Sequence, residues 1–178
     1  MLNRRGITTA ALVGMAAQLT FMLPVGAASN LDGWRFPDER DVTGNWRRFR
    51  QPDSEFYTTA ADFDGDGTRD EAWILIKNDD SQWGLFVFLN ADSADRQVIE
   101  LERTDMAKAP PQNIGIELAK PGSYATPCAK GYYPCAPGEP RTITLRRPAI
   151  NYLVFEKANA FFFWDEARVR FERIWISD

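Results

Sequence analysis

The sequence predicts an all-β fold, an antiparallel sandwich or a partly closed barrel, with a small propeller-like meander as the second choice. Three observations predict it. Short runs rich in Val, Ile, Phe, Tyr and Trp recur from Glu55 to the C-terminus, and the connections between them are built from Asn, Asp, Gly, Ser and Pro. No long amphipathic helical pattern interrupts them.

The chain opens differently. Arg4 and Arg5 precede an apolar run from Ile7 to Leu23, then Pro24 and the small residues Val25 to Ala28. A basic start, an apolar stretch and a small-residue exit are the layout of a secretory signal peptide, residues 1–28, with cleavage expected after Ala27 or Ala28. The remainder, residues 29–178, is long enough for one β-rich exported domain with its own core and is expected to be periplasmic or secreted, with no membrane span after cleavage. The formal net charge is −4. Loss of Arg4 and Arg5 makes the mature chain more acidic still, and its basic residues are dispersed among acids, which disfavours nucleic acid as a partner.

Residues 29–54 are polar, punctuated by Pro37 and Pro52, with Asn45 to Arg50 (NWRRFR) as a helical turn and Trp34 and Trp46 as anchors to the core. Strands are then expected at Glu55–Ala60, Ala72–Lys77, Trp83–Leu89, Gln97–Leu101, Ile114–Leu118, Thr142–Leu145, Tyr152–Glu156, Ala160–Trp164 and Arg168–Ile176. In WGLFVFL and FFFW successive residues are apolar, so either both faces are covered or one face makes a contact surface. In the last run Val169 and Phe171 keep one phase of alternation while Ile174 and Ile176 keep the other, and a bulge near Glu172–Arg173 is expected to make the switch.

The most informative stretch is DFDGDGTRDE, Asp62 to Glu71. Asp62, Asp64, Asp66 and Asp70 stand at positions 1, 3, 5 and 9 of a D-x-D-x-D-G loop, Gly67 stands where such a loop turns sharply, and Thr68 offers its carbonyl at position 7. Alternate oxygens converging on one point are what a hard dication needs, and a single calcium ion is the expected cofactor. A Gly/Asp-rich surface turn that binds nothing is the alternative. A helical EF-hand does not fit: position 12 is Trp73, not Glu, and the exit EAWILIK reads as a strand.

This loop resembles the DFDGDGxxD signature of FG-GAP and VCBS-type extracellular repeats. The resemblance implies a strand-connecting calcium loop, here in one full copy, since Asn78 to Asp80 and Asn90 to Asp95 lack the glycine. Over most of the mature chain, DGDGTRDEAWILI, GLFVF and the ending INYLVFEKANAFFFWDEARVRFERIWISD resemble a family of small exported proteins of Gram-negative bacteria. That resemblance implies export and no particular activity.

Cys128 and Cys135, within TPCAKGYYPCAPGEP, are expected to pair in an oxidising compartment and to hold a small Pro- and Gly-rich loop that displays Tyr132 and Tyr133. Free thiols or half of a metal site are the alternative, but no histidine exists to complete a zinc set. The absence of histidine also removes the commonest general base and every Ser-His or Cys-His pair. Carboxylate-dependent hydrolysis stays open through Glu100, Glu102, Glu117, Asp165 and Glu166.

Taken together, the expectation is a non-enzymatic, exported, calcium-binding β domain that interacts with another protein. Two alternatives stand beside it: a periplasmic inhibitor or immunity protein against a cell-wall hydrolase, meeting a basic enzyme with an acidic loop, and a carboxylate-dependent hydrolase.

Overall fold

Period-two alternation and unbroken apolar runs become antiparallel strands in the computed structural model, which describes residues 31–52 and 55–177. The signal-peptide segment, residues 1–28, lies outside the described residues. The first sheet holds β1 (Trp34–Arg35), β2 (Thr58–Ala61), β3 (Asp70–Lys77), β4 (Gln82–Leu89) and β5 (Gln97–Asp105). β2 and β1 share one edge of β3, with Thr58 to Ala61 against Trp73 to Asp70 and Trp34–Arg35 against Lys77–Ile76; β4 and then β5 follow on the other edge.

The chain continues through β6 (Ile114–Ala119), a separate hairpin of β7 (Gly122–Ala125) and β8 (Thr142–Leu145), and then β9 (Ala149–Val154), β10 (Ala158–Asp165) and β11 (Arg170–Ser177). The second sheet runs β11-β10-β9-β6. The sheets are stitched along one side, where Phe56, just before β2, accepts the Ile116 N–H of β6 at 2.7 Å. On the opposite side β5 and β11 each end their sheet without pairing to one another, so the array is a sandwich and not a closed barrel.

The core lies between the two inner faces. Ile74 and Ile76 of β3, Leu85 and Val87 of β4, Ile116 of β6, Ile150 of β9 and Phe162 of β10 are all buried there. A short helix, α1 (Gly44–Arg48), caps it by inserting Trp46, whose indole N–H donates to the Ile114 carbonyl at 2.7 Å. The expected helical turn and Trp46 anchor are found. Trp34 instead joins an outer cluster with Phe86, Phe88 and Leu75 on the far face of the first sheet. That outer cluster accounts for WGLFVFL: the odd-numbered residues of β4 fill the core, and Phe86 and Phe88 fill the second cluster.

The expected bulge at Glu172–Arg173 is not found. The β10–β11 register is regular from Asp165↔Arg170 to Ala160↔Trp175, and its one irregularity falls between Asn159 and Ala160, so nothing is bulged at Glu172–Arg173. Phe171 faces the main core, whereas Ile174 and Ile176 pack with Phe161, Leu145 and Tyr124 under the β7–β8 hairpin. Both phases are apolar because both faces are covered. Val169 belongs to neither; it sits in the turn at φ 53 and is 71% exposed.

Candidate metal centre

The DFDGDGTRDE stretch spans the end of β2 and the start of β3, so paired strands fix both of its ends. Between them the chain reverses tightly, with Gly65 at φ +81 and Gly67 at φ +87. Only glycine occupies that region without steric cost, which is why the two glycines sit where they do.

The carboxylates first organise the loop. Asp62 accepts the Gly65 N–H at 2.6 Å through one oxygen and the Gly67 N–H at 3.1 Å through the other. Asp64 accepts the Asp66 N–H at 3.2 Å. Asp70 is fully buried and bridges two segments, taking the Phe63 N–H at 2.8 Å and the Asn90 N–H, from the β4–β5 turn, at 3.0 Å.

Asp62, Asp64 and Asp70 each place a carboxylate oxygen within 4.8 Å of the others, an arrangement that could hold a metal ion. Charges at such separations repel by between about 1 and 4 kcal/mol per pair, depending on the local dielectric. Burial adds to this cost. Burial pushes the Asp70 carboxyl up, against the lowering effect of the Asn90 and Phe63 amides. Burial likewise raises Asp64, and the neighbouring charges of Asp66 and Asp62 add to it. A cation among the three favours the ionised form of each and reverses these shifts.

Asp66 and Thr68 bond to one another at the exposed side of the loop. Asp66 is exposed and takes the Thr68 hydroxyl at 2.6 Å and the Thr68 N–H at 2.8 Å, bonds that hold its carboxyl below the usual range. The Thr68 hydroxyl also lies 2.5 Å from the Asn90 side-chain oxygen. Glu71 pairs with Arg69 at 2.5 Å and accepts the Trp73 indole N–H at 2.8 Å.

Two supporting residues had no signal in the local sequence. Asn90 clamps Asp70 from another hairpin. Arg147, in the β8–β9 connection, donates to the Asp64 carbonyl and to the Glu166 carboxylate. A side chain on Gly65 would overlap that guanidinium.

Cys128 and Cys135 are joined as a disulfide. Their loop displays Tyr132 and Tyr133, 52% and 45% exposed. Its shape is held from both ends: the Tyr133 hydroxyl donates to Glu139 at 2.8 Å, the Thr126 hydroxyl to the Pro140 carbonyl at 2.8 Å, and Lys130 to the Ile176 carbonyl at 2.6 Å.

The five acids named for hydrolysis are divided between two hollows and β6. Glu100 and Glu102 line a groove beside β5, where Glu100 pairs with Arg103 and Glu102 with Arg173. Asp165 and Glu166 line another hollow and pair with Arg168 and Arg147, while Glu117 lies on β6 and lines neither. Among the described residues no helix is long and apolar enough to cross a membrane. No family model, curated protein or solved structure matches this chain.

Proposed function

We propose that the chain is an exported β domain that binds one calcium ion and acts by holding another protein, without catalysis of its own. The observation that supports the calcium reading is the convergence of Asp62, Asp64 and Asp70 within 4.8 Å on a loop pinned at both ends by strands. The donors are all oxygens; with no histidine in the chain and both cysteines oxidised, neither imidazole nor thiolate is available for a softer metal. Magnesium seldom gathers several carboxylates from one loop, and calcium does. Export is supported by the signal-peptide pattern of residues 1–28 and by the disulfide.

The ion has a structural role in this reading. It neutralises three carboxylates and fixes the path between β2 and β3, and with it the position of the Asp64 carbonyl that Arg147 grips. The partner is another protein in the periplasm or outside the cell, and the paired exposed tyrosines of the disulfide loop supply contact area at low entropic cost.

Thermal melts of the mature protein in EDTA, in excess calcium and in excess magnesium test the reading. Calcium should raise the midpoint by several degrees, magnesium by less, and Asp64→Ala should abolish the calcium response. A midpoint indifferent to calcium sinks the metal assignment.

A further inference from the structure

The β7–β8 hairpin covers only part of the outer face of the second sheet, and a hollow of about 410 Å³ remains where the hairpin and the disulfide loop meet β9, β10 and β11. Its polar lining is made of donors. The Asn159 side chain accepts the Ser177 hydroxyl at 2.5 Å through its oxygen and gives an N–H to the Asn151 oxygen at 2.9 Å. Both amide oxygens are thereby used, and among the described residues the Asn151 NH2 donates to no protein group.

Charge points the same way. Lys130 stands inside the Cys128–Cys135 ring, and its ammonium donates to the Ile176 carbonyl at 2.6 Å. A carbonyl anchors an ammonium without neutralising it and leaves its other N–H donors open. Lys120 lines the same hollow, and among the described residues neither lysine has an ion pair. No carboxylate is in the lining. Glu117, paired with Asn151 across β6 and β9, stands beside it, and the two lysines outnumber that one flanking acid.

We propose that this hollow binds a small organic carboxylate, held at its head by Lys120, Lys130 and the Asn151 amide. A carboxylate is acceptor-only, the complement of a lining that offers N–H groups, and its hydrogen bonds to ammonium are charge-assisted. The body of the ligand is apolar. Leu118, 43% exposed, lines the hollow together with the rings of Tyr124 and Phe161, which meet edge-on at 4.7 Å. A bare inorganic ion would leave that surface in water, whereas a ring or alkyl body covers it. The wall is already set, because the Tyr124 hydroxyl donates to the Lys120 carbonyl at 2.6 Å and the disulfide closes the loop that carries Lys130. None of these residues belongs to the acidic loop, so the site stands apart from calcium.

NMR titration of the isotope-labelled mature protein with benzoate in calcium-free buffer is the test, with benzamide and sulfate as controls. Benzoate should saturate with a Kd on the order of 1 mM or below, ordinary for so small a ligand, and should move the amide signals of Ala119, Lys130, Asn151 and Asn159. Benzamide keeps the ring without the charge and sulfate the charge without the ring, and each should bind about fivefold more weakly or worse. Lys120→Gln and Lys130→Gln, with melting points unchanged, should each weaken benzoate by about fivefold to tenfold, and Glu117→Gln, which removes the flanking charge, should tighten it by about twofold. Equal binding of benzamide or sulfate, shifts confined to other residues, a titration that never saturates, or lysine variants that bind as the parent does each overturns the site. The comparison of benzoate with benzamide on the parent protein reads the charge even where a variant is destabilised. Failure of the calcium melts bears on the metal and leaves this hollow untouched.

Discussion

Arg147 donates a guanidinium N–H to the main-chain carbonyl of Asp64, so the acidic loop of the first sheet is tied to the β8–β9 connection of the second. The same guanidinium bridges to Glu166 in the β10–β11 turn. One side chain thus gathers three loops at one end of the sandwich. Replacing it with methionine keeps the apolar stem and removes both bonds. Arg147→Met should lower stability by about 1–3 kcal/mol, measured as a shift in urea midpoint at constant slope, and should speed amide exchange in residues 62–67 more than in β4.

Asp70 carries a different dependence. Its two oxygens face two N–H donors in a fully buried site, and an amide side chain would turn its NH2 toward one of them. Asp70→Asn is therefore expected to cost about 1–3 kcal/mol even in EDTA, where no metal contributes. Unchanged EDTA stability in the variant would show that the Phe63 and Asn90 bonds are dispensable.

These two residues show where the sequence was informative. The convergence of Asp62, Asp64 and Asp70 was legible because alternate carboxylates on a tight loop are a local pattern: spacing along the chain determines which oxygens converge. Asn90 and Arg147 were not, because their partners lie twenty and eighty-three residues away and only sheet pairing brings them together. The strands follow the same division. Thr142–Leu145 was found to the residue from its alternation, and the apolar run of β4 was found almost whole. The two-residue β1 and the small-residue β7 (GSYA) were missed, since neither has enough apolar side chains to show a period. The bulge was misplaced at Glu172–Arg173 because the sequence does not reveal that a hairpin covers the outer face, so a second apolar phase read as a kink.

The disulfide offers a test of modest size. Cys128 and Cys135 are seven residues apart, and closing so small a ring stabilises by only about 2 kcal/mol in the chain-entropy account. Cys128→Ser with Cys135→Ser should lower stability by that amount, read from urea unfolding, with exchange accelerated in residues 126–140 and unchanged in β3 and β4. A global loss of structure would mean that the hairpin holds the sandwich itself together.

Acid titration has a defined sign at Asp38. The Arg40 guanidinium and the Arg40 N–H hold its carboxyl down to about 2, below the ordinary 3.8. A lowered native value means that the interaction is complete above the unfolded value and fades as pH falls from about 4 towards 2. Carboxyl-resolved NMR should find Asp38 titrating near the lower value in the native chain and close to the ordinary one in Arg40→Gln.

Tyr152 moves the opposite way. Burial, with the Glu102 charge and hydrogen bond behind it, pushes its phenol far above the ordinary tyrosine range. Ultraviolet titration should show it silent until the protein unfolds in alkali. Glu102→Gln should bring it down part of the way, leaving the contribution of burial.

The β7–β8 hairpin gives the chain an unusual modularity. β6 and β9 are neighbours whose ends meet at Ala119 and Ala149, so everything from Lys120 to Pro148 is an excursion that leaves the second sheet and returns to the place it left. A tight turn could join those two alanines without disturbing any strand order. Such a shortened chain would keep its main core but uncover Phe161, Ile174 and Ile176, and it would lose Arg147 with its grip on Asp64. The excursion is thus a detachable lid over one greasy face that also carries the tether to the acidic loop, and its removal should trade solubility and loop order for a smaller, self-sufficient sandwich.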